Sequence, residues 1–159
     1  MTQNQTSKDK QINVENKEIV NSLQQKVLSE DKLATNTSKK KILVAEDDPS
    51  IRRMFSRVLG NQYDVVITSN GKEAFDKFKE IKADLIITDL SMPVMDGFQF
   101  FTEIKKIYPE AKILLMTGAF DESKIKMMLE NGAIGILNKP FLWDELIKNI
   151  NSALSEKSE

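Results

Sequence analysis

"DLIITDLSMPVMDG", residues Asp84 to Gly97, runs an apolar segment straight into a bare carboxylate. Leu85-Ile86-Ile87 has the β-branched, breaker-bounded character of a buried strand, predicted over Ala83–Thr88. Asp89 follows at its tip. A Met-Pro turn comes next, then Asp96, read as the cap of a helix, and Gly97. A core strand that delivers an acid to its own end calls for other groups to meet it there.

The same alternation of strand and helix extends on both sides. Lys41–Ala45 is a short apolar strand, and Asp48-Pro49 opens a helix with an acid cap and Pro in the first turn. Ile51, Met54, Phe55, Val58 and Leu59 give that helix its apolar face. Tyr63–Ile67 is the second strand. Asn70 to Glu73 has the form of a capping box, before a helix with Ala74, Phe75, Phe78 and Ile81 inward. The third helix is predicted to bury Phe98, Phe101, Ile104 and Ile107. Lys112–Met116 is the fourth strand, and Asp121 or Ser123 caps a fourth helix ending at Asn131-Gly132. Ala133–Leu137 is the fifth strand, and Leu142, Leu146, Ile150 and Ala153 mark the fifth helix.

Five strand–helix pairs in residues 41–155 imply an α/β fold with a parallel sheet, doubly wound by helices on both faces. Right-handed crossovers bring all the strand ends to one rim, where ligands of such sheets bind. Glu46-Asp47-Asp48, Asp89, Thr117 and Lys139-Pro140 fall at those ends. Carboxylates a few ångströms apart repel strongly, and one Lys does not balance three acids. An oxygen-only donor set suits Mg²⁺ or Mn²⁺. Thr117 and Lys139 are donors suited to an anion. A cation on one side and donors on the other fit a phosphoryl group, with Glu46 and Asp47 holding the metal and Asp89 as the nucleophile.

Composition narrows the chemistry. The chain has 159 residues, a formal net charge of -1, no Cys and no His. Disulfide, thiolate and imidazole chemistry are excluded. No bulk basic field exists for nucleic acid, no apolar run approaches a membrane span, and the polar N-terminus lacks a signal-peptide core. The expected location is cytoplasmic, with no nucleic-acid or membrane partner. Residues 1–40 form a polar extension without aromatic, Gly or Pro, expected to be disordered alone. Ile19, Val20, Leu23 and Val27 also allow an amphipathic helix over 16–33, and "TNTSKKK" reads as the linker. Residues 156–159 are a short tail.

The motifs "ILVAEDDPSIRR", "LIITDLSMPVMDG", "MTGAF" and "NKPF" together resemble the CheY-like receiver domain of two-component response regulators, over about residues 41–155. The resemblance implies a flavodoxin-like sheet of order 2-1-3-4-5. It implies Asp89 as phosphoacceptor, Glu46 and Asp47 as the acidic pair, and the Ser91 backbone carbonyl as a further Mg²⁺ ligand. Thr117 matches the switch hydroxyl and Lys139 the family lysine, whose bond to Pro140 is expected to be cis. Ile136 stands where the family often has an aromatic. The expected donor is a sensor histidine kinase or a histidine phosphotransfer protein. The expected output is binding of a downstream protein through the fourth helix, fifth strand and fifth helix, around Lys126, Met127, Ile136 and Trp143. The chain reads as a single-domain regulator, a phosphoacceptor rather than an enzyme acting on other substrates. Ser91 and Ala119 take the positions that tune phosphoryl lifetime in the family. The alternative is a pseudo-receiver that binds proteins without being phosphorylated. A hydrolase resembling haloacid dehalogenases ranks last, because Ser91 stands where its second Asp would be.

Overall fold

The computed structural model describes residues 18, 21, 22, 38–119 and 121–155. By contacts the chain divides into two units, 1–38 and 39–159. In the first, Glu18, Asn21 and Ser22 are helical and exposed; the rest of the predicted helix over 16–33 lies outside the described residues.

The second unit alternates strictly. The strands are β1 (Lys41–Ala45), β2 (Asp64–Thr68), β3 (Leu85–Asp89), β4 (Ile113–Thr117) and β5 (Gly135–Asn138). The helices are α1 (Pro49–Leu59), α2 (Gly71–Ile81), α3 (Gly97–Ile107), α4 (Glu122–Glu130) and α5 (Trp143–Ser155). All strand pairs are parallel, in the order β2-β1-β3-β4-β5 expected from the resemblance.

Side chains alternate across the sheet and feed two cores. Ile42, Val44, Leu85 and Ile87 face α1 and α5, joining Phe55, Leu59, Leu146 and Ile150. Leu43, Ala45, Ile86 and Leu115 face α2, α3 and α4, joining Phe78, Phe100, Ile104 and Met128. Each fully buried Leu or Ile in these layers contributes about 1.5–3 kcal/mol.

Four strands end one residue later than apolarity predicts. Thr68, Asp89, Thr117 and Asn138 are all laddered, through the pairs Ala45↔Thr68, Asp89↔Met116 and Thr117↔Asn138. The backbone hydrogen bonds continue past the last apolar side chain, so polar residues at the tips stay inside the sheet. This puts Asp89 within β3 itself.

The buried face of α3 differs from the prediction. Gly97, Phe100, Phe101 and Ile104 are buried, Phe98 is half-buried, and Ile107 is 51% exposed. The inward stripe starts at Gly97 and runs i, i+3, i+4, i+7; Ile107 lies beyond it in the last turn. Leu142 is likewise 74% exposed and precedes α5 rather than facing inward from it.

The caps account for the helix starts. Asp48 Oδ1 accepts from the N–H groups of Ser50 and Ile51. Asn70 Oδ1 accepts from Glu73 N–H, but the Glu73 carboxylate reaches Ser69 rather than Asn70, so this box is only half formed. The reciprocal box is at α3, between Asp96 and Gln99. Asp121, not Ser123, caps α4, and Asn131 closes it before Gly132 at φ 94°.

Candidate functional site

The parallel register fixes where the acids meet. β1 and β3 are neighbours, so Glu46, just past the tip of β1, and Asp89, at the tip of β3, lie side by side. Carboxylate oxygens of Glu46, Asp47 and Asp89 lie within 4.8 Å of one another. Glu46 is 0% exposed and Asp89 5%, whereas Asp47 is open to solvent.

Lys139, one residue past β5, reaches into this cluster. Its Nζ donates at 2.7 Å to both Glu46 Oε2 and Asp89 Oδ2. Its main-chain N–H donates to Thr117 O, and the Lys139-Pro140 bond is cis, as expected. The other two oxygens are also engaged. Glu46 Oε1 accepts from Asp48 N–H and Asp89 Oδ1 from Ser91 N–H.

Burial pushes the Glu46 carboxyl above its ordinary pKa, against the opposing pull of the Lys139 and Asp48 hydrogen bonds. Burial alone would lower the pKa of Lys139, but its bonds to Asp89 and Glu46 outweigh this and raise it. The ammonium therefore stays charged and balances part of a three-carboxylate field.

Thr117 Oγ1, at the tip of β4, is buried and has no hydrogen-bond partner among the described residues. An unpaired buried hydroxyl is costly, so this group is a candidate to bond a ligand or ion at the site. The donor set tests well against a hard cation. Three clustered carboxylates with no nitrogen or sulfur ligand fit Mg²⁺ or Mn²⁺.

The family model for the response regulator receiver domain matches residues 42–151. This chain belongs to the response regulator receiver family. The receiver is 33% identical to the chemotaxis protein CheY of Bacillus subtilis over 117 residues, 72% of this chain and 98% of that protein. It is 36% identical to a probable C4-dicarboxylate response regulator, DctR, of Halalkalibacterium halodurans over 67% of this chain. There it spans only 47% of the longer protein. Among solved structures, CheY4 of Vibrio cholerae superposes with a TM-score of 0.67 at 34% identity, covering 74% of this chain and all of that one. Receiver domains belong to two-component signal transduction.

The structure gathers Glu46, Asp47, Asp89 and Lys139 into one cluster, with Ser91 bonded to the Asp89 carboxylate. The residues expected to carry output are spread more widely. Lys126 and Met127 are exposed on α4. Ile136 is half-buried in the core layer on the α4 side. Trp143 packs on the opposite face of the sheet, edge-on to Phe55 at 5.2 Å and Phe141 at 5.4 Å. In the β4–α4 loop Gly118 and Ala119 are described, while Phe120 lies outside the described residues.

Two contacts near the site escape the sequence reading, which takes no note of Arg52 and reads Gly97 only as part of a turn. Arg52 bonds to the main chain of the acid pair, and Gly97 packs on the carbonyl of Asp89. The available signals were weak: a cation near the start of a helix, and a glycine that doubles as a turn residue.

Proposed function

We propose that this receiver accepts a phosphoryl group on Asp89 from a partner phosphohistidine, carried by a sensor histidine kinase or a histidine phosphotransfer protein. The observation that carries the reading is the bridge from Lys139 Nζ to both Glu46 and Asp89, with a buried Thr117 hydroxyl at the tip of the next strand that has no partner among the described residues. One set of donors already grips the acceptor, and another is unused.

A carboxylate oxygen of Asp89 attacks phosphorus. The bond from phosphorus to the donor imidazole nitrogen breaks, and its electron pair stays on that nitrogen. Glu46, Asp47, Asp89 and the Ser91 carbonyl would hold Mg²⁺ or Mn²⁺, which supplies charge neutralisation for the phosphoryl oxygens. Lys139 takes up a phosphoryl oxygen while keeping its place beside Glu46. Thr117 gains in this state the partner it lacks in the unphosphorylated one. Because that bond exists in one state only, it shifts the population of the loop at Gly118 and Ala119.

Output in this proposal is a change in protein binding on α4, β5 and the start of α5, around Lys126, Met127, Ile136 and Trp143. The receiver acts as a switch or relay in the cytoplasm, transferring phosphate only to and from itself. No described helix is long and apolar enough to cross a membrane.

Intact mass after incubation with acetyl phosphate and Mg²⁺ tests the reading, on wild type and Asp89→Asn. Wild type is expected to gain about 80 Da, one phosphoryl group on the carboxylate, and the variant nothing. Equal incorporation by the variant removes Asp89 as acceptor. No gain in wild type with Mg²⁺ bound makes the protein a binding module on a receiver fold.

A further inference from the structure

Arg52 lies one turn into α1, at the end of the helix where the backbone dipole disfavours a cation. The first turn carries no acid beyond the cap to offset it. The side chain is half-buried, and its Nη1 donates to two main-chain carbonyls: Glu46 O at 2.9 Å and Asp47 O at 2.6 Å.

Both carbonyls lie past the last ladder pair of β1, Ala45↔Thr68. Beyond it Glu46 N–H still bonds to Thr68 O. The loop's other main-chain donors bond locally, while the Glu46 side chain is also held by Lys139. Asp48 N–H bonds to Glu46 Oε1, and Ser50 and Ile51 bond to the Asp48 carboxylate. Pro49 has no N–H to give. The guanidinium thus ties the carbonyl side of the acid pair to the helix that follows it.

We infer that Arg52 is a positioning residue for the cation site. Anchored to the carbonyls of Glu46 and Asp47, it fixes the loop so that both carboxylates meet Asp89. It does so through main-chain oxygens, without occupying a carboxylate oxygen. Lys139 acts differently, by taking one oxygen from Glu46 and one from Asp89. The inference rests on the cation reading given under Proposed function.

Arg53 provides the control. It is exposed, donates to Ser50 Oγ, and carries the same charge one residue on. Calorimetric titration of Mg²⁺ into wild type, Arg52→Ala, Arg52→Lys and Arg53→Ala separates anchoring from general charge. In parallel, hydrogen exchange of the Asp47 and Asp48 amides is followed without metal. Arg52→Ala is expected to lose about tenfold in Mg²⁺ affinity, the scale of lost outer-shell support, with Arg53→Ala staying within about twofold of wild type. Arg52→Lys, with a shorter stem and one donor group, regains part of the loss. The two amides exchange faster in Arg52→Ala. Wild-type affinity in Arg52→Ala, or equal losses in Arg52→Ala and Arg53→Ala, overturns the inference. If wild type itself takes up no Mg²⁺, the cation reading fails, and unchanged exchange in Arg52→Ala then overturns the anchoring role as well.

Discussion

Gly97 packs directly on the main-chain carbonyl of Asp89: a Cβ at Gly97 would collide with that oxygen. Gly97 N–H also donates to Leu90 O, so α3 starts against the very tip of β3. The glycine that ends the stretch from Asp84 is therefore a spacer for the acceptor strand as well as the first residue of a helix.

Gly97→Ala forces the start of α3 away from β3. The clash is with the backbone of Asp89 and Leu90, so no side-chain rotation relieves it. Urea denaturation is expected to show a loss of about 1–3 kcal/mol, the usual cost of overpacking. Wild-type stability in this variant would mean that the helix start is free to shift.

Thr117→Val replaces a buried, unpartnered hydroxyl with a methyl of similar shape. The unphosphorylated protein should gain about 1 kcal/mol of unfolding stability, because an unsatisfied buried group is removed. The same variant should lose the structural response to phosphorylation. A loss of stability in the unphosphorylated form would show that the hydroxyl is bonded in solution.

Val94 adopts φ 68° and is 82% exposed. A β-branched side chain in the left-handed region is strained, and this one buries little surface to offset the strain. Val94→Asn should stabilise the fold by about 1 kcal/mol, since Asn tolerates that region. Thermal unfolding of the two proteins side by side checks this, and an unchanged midpoint counts against it.

Asp121 is held below its ordinary pKa of 3.8 by the Ser123 hydroxyl first, then by the N–H groups of Lys124 and Ser123. A depressed carboxylate stabilises the fold above its unfolded pKa and loses that contribution as pH falls through the folded value. Asp121→Ala should therefore be less stable than wild type at neutral pH. The gap should close as pH drops below 3.8. Urea midpoints over a pH series measure it, and a pH-independent gap would mean that the charge contributes nothing to the cap.

Legibility in the sequence follows from the range of the interaction. The capping acids Asp48, Asp96 and Asp121 are readable because each bonds to N–H groups two or three residues on. The buried strand Leu85-Ile86-Ile87 is readable because its environment is apolar on both sides. Ile107 misleads because an apolar side chain in the last turn extends the pattern beyond the contact. Leu142 misleads because its spacing matches a helix that starts one residue later.

By itself the sequence determined the order of strands and helices, and that acids, a hydroxyl and a lysine stand at strand ends. These follow from local periodicity and local hydrogen bonding. Only the tertiary structure decided how the polar groups engage one another. Lys139 lies 93 residues from Glu46 and 50 from Asp89, and a parallel register sets their 2.7 Å contacts. The same packing turned Arg52 onto two carbonyls, left Thr117 Oγ1 without a partner among the described residues, and put Ile136 and Trp143 on opposite faces of the sheet. Local propensity cannot carry such information, because each of these relations depends on where a distant segment of backbone comes to rest.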